Sequence, residues 1–123
     1  MFIAPNPDFY LGQSVDTGHC VRFCQVAAPG LPHTSYWRRG PQVRGGKVAP
    51  GTVIATFGPD GRYTNRVDGS AHAAVLISDN KDGLLVWDQW VGHPVQQRVI
   101  RFRGGQGQAV NDGDVFFVVE AEV

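Results

Sequence analysis

The fold is decided by residues 71–90, which read AHAAVLISDNKDGLLVWDQW. Two apolar runs rich in β-branched and aromatic side chains, residues 72–77 and 84–87, flank the segment NKDG. An Asp beside a Gly provides the conformations that a tight turn demands, so the two runs are predicted to pair as an antiparallel hairpin. This hairpin is the expected centre of a sheet.

Three similar runs lie on either side of the hairpin, at residues 52–57, 95–102 and 115–120. Each is bounded by turn residues, and NDGD precedes the last one. Together with the hairpin they predict a five-stranded, mostly antiparallel sheet. Residues 31–50 mix aromatics, arginines and breakers without a sustained period, and this pattern is typical of an ordered surface loop.

One helix is predicted before the strands, in the segment GHCVRFCQVAA at residues 18–28. Its apolar positions can form one side, and no breaker occurs before Pro29. Asp16 and Thr17 are candidate N-caps. A helix followed by strands indicates an α+β fold with the helix packed on the sheet, and residues 1–123 are expected to form a single domain.

Composition excludes several classes of function. Eleven Lys and Arg balance eleven Asp and Glu, so the field that would concentrate the protein on nucleic acid is missing. No apolar stretch is long enough to insert into a membrane, and the start MFIAPNPDFY lacks the pattern of a secretory signal peptide. We therefore expect synthesis in the cytoplasm without a signal peptide. No cofactor is predicted.

The ordered set Cys20, His72 and Asp88 is the candidate catalytic machinery. At a helix start, unpaired N–H groups and the helix dipole would stabilise a Cys20 thiolate. His72 opens a strand run and can accept the thiol proton, whereas Asp88 ends the neighbouring run and can orient the imidazole. A one-residue slip in strand register would put Gln89 in place of Asp88.

Other interpretations of the two cysteines and of the histidine compete with this one. Free cysteines are among the most buried residue types, and Cys24, one turn into the helix, is expected to be buried and inert. A zinc site using His19, Cys20 and Cys24 is disfavoured, because adjacent residues of a helix point about a hundred degrees apart. No metal site is therefore predicted.

Several segments together resemble small bacterial cell-wall amidases of the NlpC and CHAP type, which are papain-like cysteine peptidases. Among these, the chain is similar to the second family of type VI secretion amidase effectors. The resemblance covers roughly residues 10–103 and rests on these segments: GQSVDTGHCVRFCQ, PHTSYWRRG, GTVIATF, GRYTN, GSAHAAVLIS and GLLVWDQW.

The resemblance implies a papain-like fold and hydrolysis of amide bonds in the stem peptide or cross-link of peptidoglycan. Cys20 would be the nucleophile and His72 the base, with Asp88 at the third position. The backbone amide of Cys20 would contribute to the oxyanion hole, together with Gln13 or Tyr10.

Stem peptides carry free carboxylates, for which arginine is the natural partner. The predicted substrate-binding residues all come from two aromatic segments and are Tyr36, Trp37, Arg38, Arg39 and Trp90.

The resemblance also implies an antibacterial effector that is secreted into the periplasm of target bacteria, and a cognate immunity protein that covers the cleft around Cys20. Two alternatives remain open from the sequence. One is a thiol deamidase or transglutaminase-like toxin of the same fold that acts on protein. The other is a β-rich binding module in which Cys20 is inert.

Overall fold

The computed structural model describes residues 1–121. Within this range the chain forms one α-helix, α1 (Cys20–Ala27), and six β-strands. The strands are β1 (Trp37–Gln42), β2 (Val53–Thr56), β3 (Ala73–Asp79), β4 (Gly83–Trp90), β5 (His93–Arg101) and β6 (Phe116–Ala121). No helix in this part of the chain is long and apolar enough to cross a membrane.

All six strands join one sheet in the order β1-β6-β2-β3-β4-β5, and every neighbouring pair is antiparallel. The predicted hairpin is the β3–β4 pair, in which Val75 lies opposite Trp87. β6 inserts between β1 and β2, although it is the last strand in the chain. The α+β class is therefore confirmed.

The predicted count of five strands is wrong, because the segment taken for a surface loop contains the edge strand β1. This strand reads WRRGPQ and has only one buried residue, Trp37. Pro41 and Gly40 are poor strand residues in general, but an edge strand tolerates them, since one of its sides makes no ladder hydrogen bonds. Without alternation of apolar residues, the sequence gives little sign of a strand here.

The helix is shorter than predicted and has a different N-cap. His19, in extended conformation, occupies the cap position. Asp16 adopts a left-handed conformation with φ of 55°, and its carboxylate pairs with Arg22 at 3.0 Å. Gly18 also has positive φ, at 88°. The chain therefore turns tightly just before the helix, and neither Asp16 nor Thr17 caps it.

The sheet is buried on both faces. Helix α1 packs against β3 and β4 on one face, where Phe23 and Cys24 meet Ala73, Val75 and Trp87. A second apolar cluster covers the other face and comprises Val43, Ile54, Ala74, Leu76, Leu84, Val86, Ile100, Phe116 and Val118. The packing of the helix on β3 and β4 brings the start of the helix to the ends of these two strands.

Candidate active site

Cys20 is the first residue of α1 and is partly exposed. The first amide groups of an α-helix lack an acceptor one turn back in the chain and lie at the positive end of the helix dipole. The Cys20 thiol therefore lies where a negative charge is favoured. Cys24 is fully buried in the core one turn later, and burial raises the pKa of its thiol well above the usual value.

His72 lies immediately before β3 and is 5% exposed. Its main chain is fixed by two hydrogen bonds with Thr56. The His72 amide donates to the Thr56 side chain at 3.0 Å, and the Thr56 amide donates to the His72 carbonyl at 3.0 Å. This pairing holds His72 at the beginning of β3, on the side of the sheet against which α1 packs.

Asp88 accepts a hydrogen bond from Nε2 of His72, with 2.9 Å between Nε2 and Oδ2. The register that places Val75 opposite Trp87 brings the start of β3 beside the end of β4, as the hairpin predicted. Because Asp88 occupies Nε2, the other ring nitrogen, Nδ1, is the one left to interact with Cys20. The three side chains thus form one connected line.

Arg98 on β5 is a fourth member that the sequence did not reveal. Its Nε and Nη2 donate to Oδ2 of Asp88 at 2.9 and 2.7 Å. Asp88 is completely buried, and burial alone would raise the pKa of its carboxyl, but the hydrogen bonds from His72 and Arg98 outweigh burial and hold this pKa below its usual value. The carboxylate is therefore ionised throughout the neutral range.

The electrostatics of Cys20 and His72 favour a thiolate–imidazolium pair. Burial opposes the ionisation of Cys20, but the hydrogen bond and the charge of His72 outweigh it and lower the pKa of the thiol. Burial likewise opposes protonation of His72, yet the hydrogen bonds to Asp88 and Cys20 raise the pKa of the imidazole to about 9. Both shifts favour the state in which the proton lies on His72 rather than on Cys20.

A cleft of about 410 Å³ opens over this line of side chains and is lined by Cys20 and His72. Tyr63, from the loop between β2 and β3, also lines it, and its hydroxyl lies 3.9 Å from the Cys20 sulfur. Burial raises the pKa of Tyr63, so its hydroxyl stays protonated and can donate a hydrogen bond. Tyr63 was not singled out from the sequence, because nothing in an irregular loop predicts its direction.

The charged side chains that line the cleft are Arg66 and Arg98, and among residues 1–121 no carboxylate lines it. A second cavity of about 700 Å³ shares His19, Val21 and two further residues with the cleft. The two cavities therefore adjoin each other beside the start of α1.

The candidate oxyanion residues Gln13 and Tyr10 do not line the cleft. The Gln13 side chain donates to the carbonyl of Phe9 at 3.1 Å, and the ring of Tyr10 packs edge-on against Phe23 with centroids 6.0 Å apart. Both belong to the segment before the helix, and the structure does not bring their side chains to the cleft that Cys20 lines.

Most of the predicted substrate-binding residues also lie outside the cleft. Trp37 is completely buried beneath Tyr63, with ring centroids 4.9 Å apart, so it cannot form a groove wall. Tyr36 is exposed, but neither it nor Arg38 or Arg39 lines the cleft. These residues lie on β1 or just before it, and β1 is at the opposite end of the sheet from β4 and β5. Trp90 alone of the set lines the cleft.

Gln89, the alternative orienting residue, does not approach His72. Its side chain is completely buried and hydrogen-bonds to the backbone of Val15 and His19. The register is thus the one that turns Asp88 toward the imidazole. Within residues 1–121, no group of three His, Cys, Asp or Glu side chains is arranged to hold a metal ion.

Comparison with known proteins gives consistent matches over most of the chain. The family model described as domesticated amidase effector 2 matches residues 2–119. A protein of that name from Ixodes scapularis is 35% identical over 111 residues, which cover 86% of this chain and 73% of the relative. A type VI secretion amidase effector 2 protein from Salmonella typhi is 34% identical over 99 residues, covering 70% and 73%.

A solved structure of a type 6 secretion amidase effector 2 superposes with a TM-score of 0.82 at 30% sequence identity. The superposition covers 98% of this chain and 95% of the solved chain. The sheet and helix described above are therefore those of that structure.

Proposed function

The chain belongs to the domesticated amidase effector 2 family, and from that premise we propose that it is a cysteine amidase that cuts amide bonds in the peptide part of bacterial peptidoglycan. One observation carries the chemistry. A cysteine at a helix start, a buried histidine and a buried carboxylate form a connected line at the floor of a cleft. The resemblance to cell-wall amidases supplies the substrate class.

Each side chain has a defined step in the proposed reaction. The Cys20 thiolate attacks the scissile carbonyl carbon, and the protonated His72 then gives its proton to the leaving amine, which releases it and leaves a thioester on Cys20. Water attacks the thioester while His72 takes its proton, and the carboxylic acid departs with the thiolate restored. Asp88 keeps the imidazole in one tautomer and orientation throughout.

The negative oxygen of the tetrahedral intermediate needs hydrogen-bond donors that are already in place. The backbone amide of Cys20 is one, because a residue at the helix start has a free N–H. We assign the Tyr63 hydroxyl as the second donor in place of Gln13 and Tyr10, since it lies beside the sulfur and stays protonated.

Substrate carboxylates are proposed to bind Arg66 and Arg98, which replace Arg38 and Arg39 in this role. Both line the cleft, and Arg98 is 21% exposed at its side chain while it holds Asp88. Trp90 forms a wall beside them, with the Arg98 guanidinium 5.2 Å from its ring centroid. The second cavity, which adjoins the cleft at His19, suits a substrate that extends on both sides of the scissile bond.

The biological setting is proposed from the relatives. The name of the Salmonella typhi relative places that protein in type VI secretion. For this chain we propose delivery into the periplasm of target bacteria and a cognate immunity protein in the producing cell. Such an inhibitor would act most directly by filling the cleft over Cys20.

The test is digestion of purified sacculi with the wild type, Cys20→Ala and the matched control Cys24→Ala, followed by mass analysis of the released fragments. We expect new amine and carboxyl ends with the wild type and Cys24→Ala, and none with Cys20→Ala. Glutamine-containing proteins are treated in parallel, and deamidation or cross-linking there without peptidoglycan cleavage would support the toxin alternative. Failure of the native protein to react with iodoacetamide near neutral pH would support the inert binding module.

A further inference from the structure

Gln89 connects the end of β4 to the segment that leads into α1. Its Oε1 accepts a hydrogen bond from the Val15 amide at 2.8 Å, and its Nε2 donates to the carbonyls of Val15 and His19, each at 2.9 Å. The side chain is completely buried, and all three bonds span more than 65 positions of sequence. Such a set satisfies both ends of the amide and fixes its orientation.

The bond to His19 acts on the peptide group that contains the amide of Cys20. A peptide group is planar and trans, so its carbonyl oxygen and its N–H point in opposite directions. The His19 carbonyl also accepts from the amides of Arg22 at 3.1 Å and Phe23 at 3.4 Å, and the bond from Gln89 is shorter than either. Anchoring this oxygen in the interior therefore aims the Cys20 N–H outward at the cleft.

We propose that Gln89 is a positioning residue for the oxyanion hole, which it builds by fixing the His19–Cys20 peptide plane. The hydrogen bond it donates to the carbonyl also polarises the peptide group and strengthens the N–H as a donor. This inference rests on the proposed function, because it assigns the Cys20 amide to stabilising the tetrahedral intermediate.

The same strand end thus serves two parts of the site. Asp88 orients the imidazole on one side, and Gln89 orients the nucleophile's own peptide group on the other. Because the two residues are adjacent, the β4 register sets both at once. Gln89 touches neither substrate nor the reacting sulfur in this assignment and acts through the backbone.

Two reactions of Cys20 separate this role from a purely structural one. Amide hydrolysis passes through a tetrahedral oxyanion and needs the hole, whereas alkylation by iodoacetamide is a direct displacement at carbon in which iodide leaves and no oxyanion forms. Both reactions need the thiolate. A change confined to the oxyanion hole therefore lowers the rate of hydrolysis and leaves alkylation unchanged.

The experiment compares the wild type with Gln89→Met, which keeps the length of the side chain and removes its hydrogen bonds. The matched control is Gln97→Met, the same change at an exposed position of β5 opposite Trp87. For each protein, kcat and KM on a purified muropeptide are measured beside the second-order rate of iodoacetamide alkylation from pH 5 to 10. Thermal unfolding verifies that each variant is folded.

For Gln89→Met we expect kcat to fall by about ten- to a hundredfold, less than the cost of losing an oxyanion donor outright, with KM and the alkylation profile unchanged. Gln97→Met should match the wild type in kcat, in KM and in the alkylation profile. Equal hydrolysis by Gln89→Met and the wild type would overturn the inference, and so would a parallel loss of hydrolysis and alkylation. If the wild type itself does not hydrolyse muropeptides, the proposed function fails instead.

If Gln89→Met does not fold, the same measurements are made on a second variant, Gln89→Glu. The ionised carboxylate keeps the acceptor for the Val15 amide but loses the donor to His19, whereas the protonated form can still donate. Slow hydrolysis beside normal alkylation is therefore expected at the alkaline end of the pH series, where the carboxyl group is ionised. Normal hydrolysis there by a folded Gln89→Glu would refute the role of the donated bond.

Discussion

Replacing Asp88 by asparagine tests the electrostatic design of the site most directly. The change removes a buried charge with almost no change in shape. His72 would lose the hydrogen bond at 2.9 Å that now holds its protonated form, and Arg98 would lose its ionic partner. We expect two separable effects, one on the rate and one on its dependence on pH.

The magnitude follows from the pKa of His72. A rise from 6.5 to about 9 corresponds to about 3 kcal/mol of stabilisation of the imidazolium, since one pKa unit is worth about 1.4 kcal/mol. Burial works against this rise, and the Asp88 hydrogen bond is the largest contribution in its favour. Without the carboxylate, the pKa of His72 must therefore fall.

In the wild type, activity is expected to rise as Cys20 ionises and to fall as pH passes through about 9, where His72 loses its proton. Asp88→Asn should move the alkaline limb to lower pH and reduce kcat by about a hundred- to ten-thousandfold, the range seen when a triad carboxylate is neutralised. KM should change little, because Asp88 is buried away from substrate.

The assay is the pH profile of kcat/KM for muropeptide hydrolysis, recorded beside the pH profile of iodoacetamide alkylation. Asp82→Asn, the same change at an exposed position of the β3–β4 turn, is the matched control and should behave as the wild type. An Asp88→Asn enzyme with full activity and an unmoved alkaline limb would refute the orienting role. The machinery would then reduce to Cys20 and His72.

Three further changes have sharp expected outcomes. Cys20→Ala should abolish muropeptide hydrolysis and keep the fold, whereas Cys24→Ala should keep most of the activity; the reverse ranking would move the nucleophile to Cys24. Arg66→Ala should raise KM far more than it lowers kcat, while Arg39→Ala, outside the cleft, should leave both constants unchanged in steady-state kinetics. Trp37→Ala should lower the free energy of unfolding by about 3–5 kcal/mol in urea titrations, because the side chain is completely buried, and a near-neutral result would contradict that burial.

The sheet was largely predictable because five of its strands carry runs of β-branched and aromatic residues between turn residues. Strand β1 was not predicted, because its sequence WRRGPQ has no alternation of apolar and polar residues and its pairing with β6 depends on residues about 80 positions away. The apolar spacing correctly predicted helix α1. Its N-cap was not predicted, because the position of the cap depends on the positive φ of Asp16, and the sequence does not indicate that conformation.

The candidate site, like the sheet, could be predicted only in part. The order of Cys20, His72 and Asp88, with a tight turn between the last two, was enough to predict that the latter pair would meet. Gln89 lies beside Asp88 on β4 and Arg98 lies on the neighbouring strand β5, and their contacts depend on side-chain direction as well as strand register. Arg38 and Arg39 lie outside the cleft, which the sequence could not indicate, because charge and neighbouring aromatic residues define no side-chain direction without the strand that carries them.

The insertion of β6 between β1 and β2 has a consequence for cooperativity. Cys20 at the start of α1 and His72 just before β3 come from the first two thirds of the chain, yet the sheet beneath them is completed by residues 116–121. Contacts between residues so far apart in sequence require a long loop to close, and the chain loses this loop entropy before the contacts stabilise the fold. This topology therefore favours slow, all-or-none folding. Amide protons of β2, which is paired on both sides, should therefore exchange only through global unfolding, and enzymatic activity should disappear in the same transition.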